Sequence, residues 1–358
     1  MRKYRFKTTE YVLRTYSIVM IASEWIFIGH SKKKKRGRDT FPLLKGEKMK
    51  KSKMIRSLLP FITVVLLYVI FRLLQPERFG NFNSMYILTQ QTFIHAILAC
   101  GFYFILSMDI YDLTVGVNAI LSSMIGVLLS DAIGMPGLFI GAIAMGVLIS
   151  FISSFLMVNI DAPPIIISVA LTIIYEAFSV FLCTGNTTLS INPDFKFFGK
   201  APYDMIPGIL ILVINGLILK YTRLGVYIDA IGSNAKLTEN VGVNVKKYKT
   251  LAFLCCGVCT GVYAFTSLSY SASVAYATGL SSVTSIFKPV MACMFAIAFK
   301  KYINPMISLF IGCFILNIIS NGLLTNGLEA SLQNVVVGIA MILLVRFSSA
   351  ARKFDVVK

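Results

Sequence analysis

The sequence predicts an all-α, polytopic integral membrane protein of about ten transmembrane helices with both termini cytoplasmic. Three observations carry that expectation. Hydrophobic residues make up 56% of the 358 residues and charged residues only 14%, with a mean hydropathy of +0.77, whereas a soluble domain carries about 25% charged residues. Apolar runs long enough to cross about 30 Å of hydrocarbon as helix recur from Leu58 to Phe347. The basic residues collect in segments that fall on one side of the membrane when the runs are counted as crossings.

The runs lie at 58–74, 89–107, 113–131, 137–158, 163–183, 206–220, 250–270, 283–299, 303–321 and 332–347. Lipid offers backbone N–H and C=O groups no partners, so each run is expected as a helix; the alternation of a barrel strand is absent. The basic clusters are "KMKKSKMIR" before the first run, "KYTR" and "KKYK" around the loop after the sixth, Lys300 with Lys301, and Arg346 with Arg352, Lys353 and Lys358. The positive-inside rule makes that side cytoplasmic. The net charge of +18 then reads as anchoring and attraction to anionic lipid, not as a nucleic-acid surface.

Function classes are narrowed by what the chain lacks. Its seven cysteines, Cys100, Cys183, Cys255, Cys256, Cys259, Cys293 and Cys313, fall inside or at the ends of runs and read as small apolar packing residues. "CCGVC" holds a Cys-x-x-Cys, but within a span and without a neighbouring histidine it is a weak metal or redox signal. The only histidines are His30 and His95. No Ser-His-Asp set, His-Glu-x-x-His, phosphate loop or paired-glycine fingerprint is present, so neither an enzyme nor ATP hydrolysis on this chain is expected, and no cofactor or metal site.

Two connections stand out. Thr184 to Tyr203 is polar and turn-rich and is expected on the outside, dividing five runs from the rest. Lys220 to Lys249, "KYTRLGVYIDAIGSNAKLTENVGVNVKKYK", is too polar to span and too patterned to be a tether. Ile228, Ile231, Leu237, Val241 and Val243 predict short amphipathic helices broken at Gly232 and Gly242. Such an element either docks something cytoplasmic or lies on lipid as a linker.

Polar residues within the runs are the candidate functional groups. In "DIYDLTVGVNAILSS" an acid at the start of a helix can accept from unpaired backbone N–H groups and face the positive dipole end, so Asp112 is expected as a helix cap, with a substrate or proton ligand as its other reading. Asp109 caps the same turn or is solvated. Thr114, Gly116 and Asn118 suit close helix packing or a lined path. Glu176 sits mid-span with no cationic partner at its depth, which leaves a path-lining group or a protonated structural one. Asn317 and Asn321, four apart, share one helix face and suit an interhelical hydrogen bond or a path for sugar hydroxyls. "GVCTG", Gly257 to Gly261, is a small-xxx-small pattern for helix packing.

Four separated motifs carry a family resemblance. "FGNFNSMYILTQQTFIHAILACG" leading to "DIYDLTVGV", then "APPIIISVALTIIYEAF", then "GVYIDAIGSNAKLTENVGVNV", then "SNGLLTNGLEASLQNVVVGIAMILL" occur in that order. From about Phe79 to Arg352 the chain resembles the permease subunits of bacterial ABC importers for simple sugars, the ribose, xylose, galactose and autoinducer-2 group. It departs from them where "AIAFKKYINP" replaces a glycine-rich turn before the ninth span, and where Glu176 and Ala177 stand in place of an Arg-Gly pair.

The resemblance implies a permease domain over 49–352 in the bacterial cytoplasmic membrane, with a coupling loop at 221–249 and a short cytoplasmic tail at 353–358. It implies cytoplasmic ATPase subunits that bind the ATP and Mg, a second permease chain, like or unlike, and an extracellular or periplasmic sugar-binding protein. The expected docking segment is Gly232 to Gly242, with Asn234 and Ala235 at its tip and Glu239 facing solvent or a basic ATPase residue. Asn118, Glu176, Asn317 and Asn321 are the expected pathway candidates. Nucleoside import by a related permease is the alternative cargo, and a secondary transporter the more distant one.

Residues 1–48 are expected to stand apart from the working protein. They hold thirteen Lys or Arg against four acids, half of the net charge, and their one apolar run, "YSIVMIASEWIFIG", contains Glu24 and is short for a span. An amphipathic anchor on the inner leaflet is the other reading. "GEKM" can be encoded as GGA-GAA-AAA-ATG, a purine-rich stretch directly before Met49. Intact-mass and peptide spectrometry of the natively expressed protein should therefore find Met49 at the N-terminus; stoichiometric peptides from 1–48 would overturn this.

Overall fold

The computed structural model describes residues 58, 60–74, 79–183, 185–200, 203–325, 335 and 338. The chain divides into two compact units, 1–63 and 64–358, and the architecture below is that of the second. The expected N-terminal extension 1–48 and tail 353–358 lie outside the described residues, as does the expected tenth span, 332–347, but for Val335 and Gly338.

Eleven α-helices are described. They are α1 (Pro60–Leu74), α2 (Phe82–Leu106), α3 (Thr114–Ile133), α4 (Met135–Asn159), α5 (Pro164–Leu182), α6 (Ile206–Tyr221), α7 (Arg223–Ser233), α8 (Ala235–Asn240), α9 (Val245–Ser271), α10 (Phe287–Phe299) and α11 (Pro305–Thr325). Seven described helices are long and apolar enough to cross a membrane: α2 to α5, α9, α11, and α10 together with the 3-10 helix Ser281–Ile286 that leads into it. An eighth is formed if α6 and α7, bent by 74° at Thr222, count as one broken span. The polytopic helical class is thus the observed one.

α2 begins at Phe82, seven residues before the apolar run that announced it. In its first turns Tyr86 OH donates to Asp204 Oδ2 at 2.5 Å, and within the run Gln90 Nε2 donates to Gly199 O at 2.9 Å and Asn321 Nδ2 donates to Gln91 Oε1 at 3.0 Å. From Ala96 to Leu106 the helix is buried on every side. It forms the centre of the bundle with α9. α3 and α4 pack on one flank of that pair, α10 and α11 on the other, and α5 and α6 lie outermost.

Helix contact here is set by backbone approach. In lipid no hydrophobic force draws one helix to another, so association relies on close packing and interhelical hydrogen bonds. A Cβ built on Gly257 would stand 2.6 Å from Gly146 O, and one on Gly261 2.5 Å from Ile143 Cα. α4 and α9 therefore touch through their main chains along the "GVCTG" segment.

Between α5 and α6 a short strand, β1 (Thr188–Ser190), pairs antiparallel with β2 (Ser273–Ala275) after α9, Leu189 opposite Val274. The 3-10 helix Pro193–Gly199 packs on the end of α9. These pieces close the end of the bundle opposite α7.

Replacing Gly261 with Ala should push these backbones apart, an overpacking effect of about 1–3 kcal/mol. The purified variant should unfold at a lower temperature than the parent chain in the same detergent; an unchanged Tm would show that the seam yields freely.

Candidate functional site

The segment expected to break at Gly232 and Gly242 is helical through Gly232. α7 runs to Ser233, the break falls at Asn234, and α8 then ends before Gly242, whose φ is +88°. Asn234 is the reason for the position: its extended backbone stops α7, and its Oδ1 accepts from Leu237 N at 3.0 Å, capping α8. Gly232 serves a different purpose. A Cβ there would meet Ser107 O at 1.9 Å, so α7 lies against the turn that follows α2.

The expected amphipathic face is also uneven. Ile228 and Ile231 are buried beneath α7, whereas Leu237 and Val241 are 61% and 77% exposed. Asn234 and Glu239 are exposed and Ala235 is half-buried. Asp229 of α7 forms an ion pair with Lys300 in the turn between α10 and α11. In that turn Asn304 Oδ1 accepts from Met306 N at 3.0 Å, so a polar cap stands where a glycine-rich turn is absent.

Asp112 lies just before α3 and is 2% exposed. Its Oδ1 accepts from Thr114 N at 2.8 Å and from Thr114 Oγ1 at 2.7 Å. Burial pushes its carboxyl up to about 6, against the opposing pull of the two Thr114 bonds. Asp109 is exposed and takes a left-handed φ of +62°, which turns the chain out of α2.

Glu176 is buried in α5, and each oxygen of its carboxylate has a backbone donor. Leu280 N donates to Oε2 at 2.8 Å and Ser282 N donates to Oε1 at 3.0 Å. The carboxylate thus covers the N-terminus of the 3-10 helix Ser281–Ile286, the start of the span that continues as α10. Ser179, one turn on, receives Ala277 N at 3.3 Å. α5 is otherwise an outer helix with exposed Ile165, Ile166, Ile173, Ile174 and Phe181; its buried residues are Ser168, Leu171, Thr172, Glu176 and Ser179.

The three asparagines each bridge helices. Asn118 Nδ2 donates to Gly146 O at 3.1 Å and to Ser150 Oγ at 3.0 Å, joining α3 to α4. Asn317 Nδ2 donates to Thr92 Oγ1 at 3.1 Å and Asn321 Nδ2 to Gln91 Oε1, joining α11 to α2. The four pathway candidates therefore do not meet at one place. Glu176 serves the α5 side, Asn118 the α3–α4 contact, and Asn317 and Asn321 the α11–α2 contact, where Asn321 borders a cavity.

That cavity, about 260 Å³, lies among α2, α9, α10 and α11 toward the end of the bundle away from α7. Gln91, His95, Tyr263, Ser267, Tyr270, Lys288, Ser320 and Asn321 give it a polar wall, with Ile94 and Leu324 as apolar members. Gln91 is its hub: Oε1 accepts from Asn321, and Nε2 donates to Tyr270 OH at 3.4 Å. His95 Nδ1 bonds Gln91 O at 2.7 Å; a carbonyl only accepts, so Nδ1 carries the hydrogen. Lys288, His95 and Gln91 were not singled out by their sequence positions. Gln91 and His95 share one apolar run with Gln90, Lys288 stands in another, and the signal available was polarity within a span.

A multi-helix membrane bundle with a polar cavity between its helices and a partly exposed amphipathic segment at one end has the architecture of a transport subunit. Residues 83–345 match the family described as the branched-chain amino acid transport system / permease component. The chain belongs to that family. It is similar to the ribose import permease of Escherichia coli K12, 24% identical over 299 residues, 79% of this chain and 91% of that one. It is similar also to the D-allose transport system permease of the same organism, 25% over 285 residues, covering 78% and 87% of the two chains. The fructose import permease of Rhizobium meliloti is 24% identical over 311 residues, 82% of this chain and 85% of that one. The protein is a multi-pass permease component of the cytoplasmic membrane.

Replacing Glu176 with Gln leaves one acceptor oxygen and turns an NH2 group toward a backbone donor. The unsatisfied amide should cost about 1–3 kcal/mol and lower the thermal unfolding temperature of the purified chain. Wild-type stability in this variant would count against the anchoring role of the carboxylate.

Proposed function

We propose that this chain is the membrane-spanning subunit of an ATP-driven importer for a simple sugar. The named cargoes of its relatives, ribose, D-allose and fructose, support that class. The polar cavity is the observation that carries it on this chain. Its wall offers amide, hydroxyl and imidazole groups, which suit the hydroxyls of a sugar. An amino acid would require an acid for its ammonium group, and among the described residues no carboxylate lines the cavity.

In this reading the end of the bundle bearing α7 and α8 is cytoplasmic and an ATPase docks there, while a sugar-binding protein delivers cargo at the opposite end. A second permease chain completes the pair. Leu237 and Val241, exposed apolar side chains on a polar segment, would be covered by the ATPase, with Asn234, Ala235 and Glu239 beside them. Movement of the ATPases would press on α7 and reach α2 through the Gly232–Ser107 contact and α10 through the Asp229–Lys300 pair.

The double change Leu237→Glu and Val241→Glu alters exposed side chains only, so membrane insertion and amount should match the parent. Co-purification of the cognate ATPase and ATP-dependent sugar uptake by the whole importer should fall at least tenfold. Unaltered association and uptake would remove α8 from the docking surface.

A further inference from the structure

We infer that the cavity between α2, α9, α10 and α11 takes an anionic sugar derivative, a sugar acid or sugar phosphate, with its negative group on Lys288 and Ser320. The inference rests on the sugar-import reading and narrows it. Two groups of the wall are left without partners. Lys288 Nζ makes no hydrogen bond or ion pair among the described residues, whose ion pair is that of Lys300 with Asp229. Ser320 Oγ is buried, its residue 3% exposed, and likewise has no hydrogen-bond partner.

An ammonium group within an apolar bundle is costly unless it is hydrated or meets an anion, and such groups usually mark the path of a ligand. No carboxylate among the described residues lines the cavity to answer it. Asp204 receives Tyr86 OH at 2.5 Å, and Glu176 holds Leu280 and Ser282. Neither residue lines the cavity. The vacancy is specific in its chemistry: one cation with a hydroxyl donor, a pairing that suits a carboxylate or phosphate oxygen.

The rest of the wall suits the remainder of such a molecule. Asn321 spends its Nδ2 on Gln91, which leaves Oδ1 to accept from a hydroxyl. His95 uses Nδ1 on Gln91 O, which leaves Nε2 as a second group for a hydroxyl. Ile94 and Leu324 supply the apolar contact that a sugar ring's C–H face requires. A neutral sugar would satisfy the acceptors and leave the ammonium unanswered.

The probes are D-glucuronate and D-glucose, two pyranoses that differ by a carboxylate. Each is titrated against the full chain in nanodiscs of zwitterionic lipid, and binding is read by saturation-transfer NMR. Glucuronate should bind at least tenfold more tightly. Lys288→Met should abolish that preference, bringing glucuronate binding down to the level of glucose, with Tm close to the parent's because Lys288 bonds no other group among the described residues; Lys288→Arg should keep the preference, and Ser320→Ala should weaken glucuronate more than glucose. Equal binding of the two sugars, tighter binding of glucose, or a preference that survives Lys288→Met would overturn the anionic assignment. Binding of neither probe would overturn it as well. The permease reading is judged separately by ATP-dependent uptake of ribose, allose, fructose, glucose and glucuronate in vesicles holding the whole importer, and it falls only if none is carried.

Discussion

The contact of α4 with α9 through glycine main chains is the constraint on which the rest of the bundle depends. Gly146, Gly257 and Gly261 leave no room for a side chain between the two helices. Lipid supplies no hydrophobic reward for association, so dispersion between closely fitted backbones must supply it. Once α9 is fixed against α4, its other faces meet α2 and α3, and Gly101 of α2 comes up to Cys259 and Cys256 in the same manner. Asn118 then finds Gly146 O and Ser150 at bonding distance, because α3 and α4 are held there.

Polar groups in this setting act as pins. Each is expensive in hydrocarbon unless bonded, so each bonded pair defines one relative position of two elements. α5 shows the principle clearly, since its exposed face is apolar and four of its five buried residues are Ser, Thr or Glu. Through Glu176 and Ser179 it holds the turn from Ala277 to Ser282, where the chain passes from β2 into the 3-10 helix that leads to α10. Asn317 and Asn321 do the same between α11 and α2. The cavity lies beside those pins and includes the two wall groups, Lys288 and Ser320, that have no such bond among the described residues.

The opposite end of the molecule is built differently. α7 is anchored by buried Ile228 and Ile231, by the close approach of Gly232 to Ser107, and by the ion pair of Asp229 with Lys300. α8 is capped by Asn234 and leaves Leu237 and Val241 in the open. An anchored helix followed by a short exposed one suits a segment that receives a push on α8 and passes it to α2 and α10. An isolated surface ion pair contributes at most about 1 kcal/mol, so the Asp229–Lys300 contact orients α7 more than it stabilises the fold.

Composition and run length by themselves determined the class of this protein, because about 30 Å of hydrocarbon permits only helices of a certain length and apolarity. The four ordered motifs determined its family, and the small-residue spacing in "GVCTG" marked a packing seam. Other features were decided only by tertiary contact. α2 starts at Phe82, ahead of its apolar run, where Tyr86 OH meets Asp204, 118 residues away. The loop broke at Asn234, whose extended backbone ends α7 and whose side chain caps α8, while Gly232 stayed inside α7, where Ser107 O leaves no room for a side chain. Glu176 was visible as an isolated acid, but its two backbone donors lie 104 and 106 residues away, and no local pattern announces them. Lys288, His95, Ser320 and Asn321 share a wall only because α2, α10 and α11 cross there. A sequence states which side chains a membrane will tolerate, and the folded bundle decides which of them face one another.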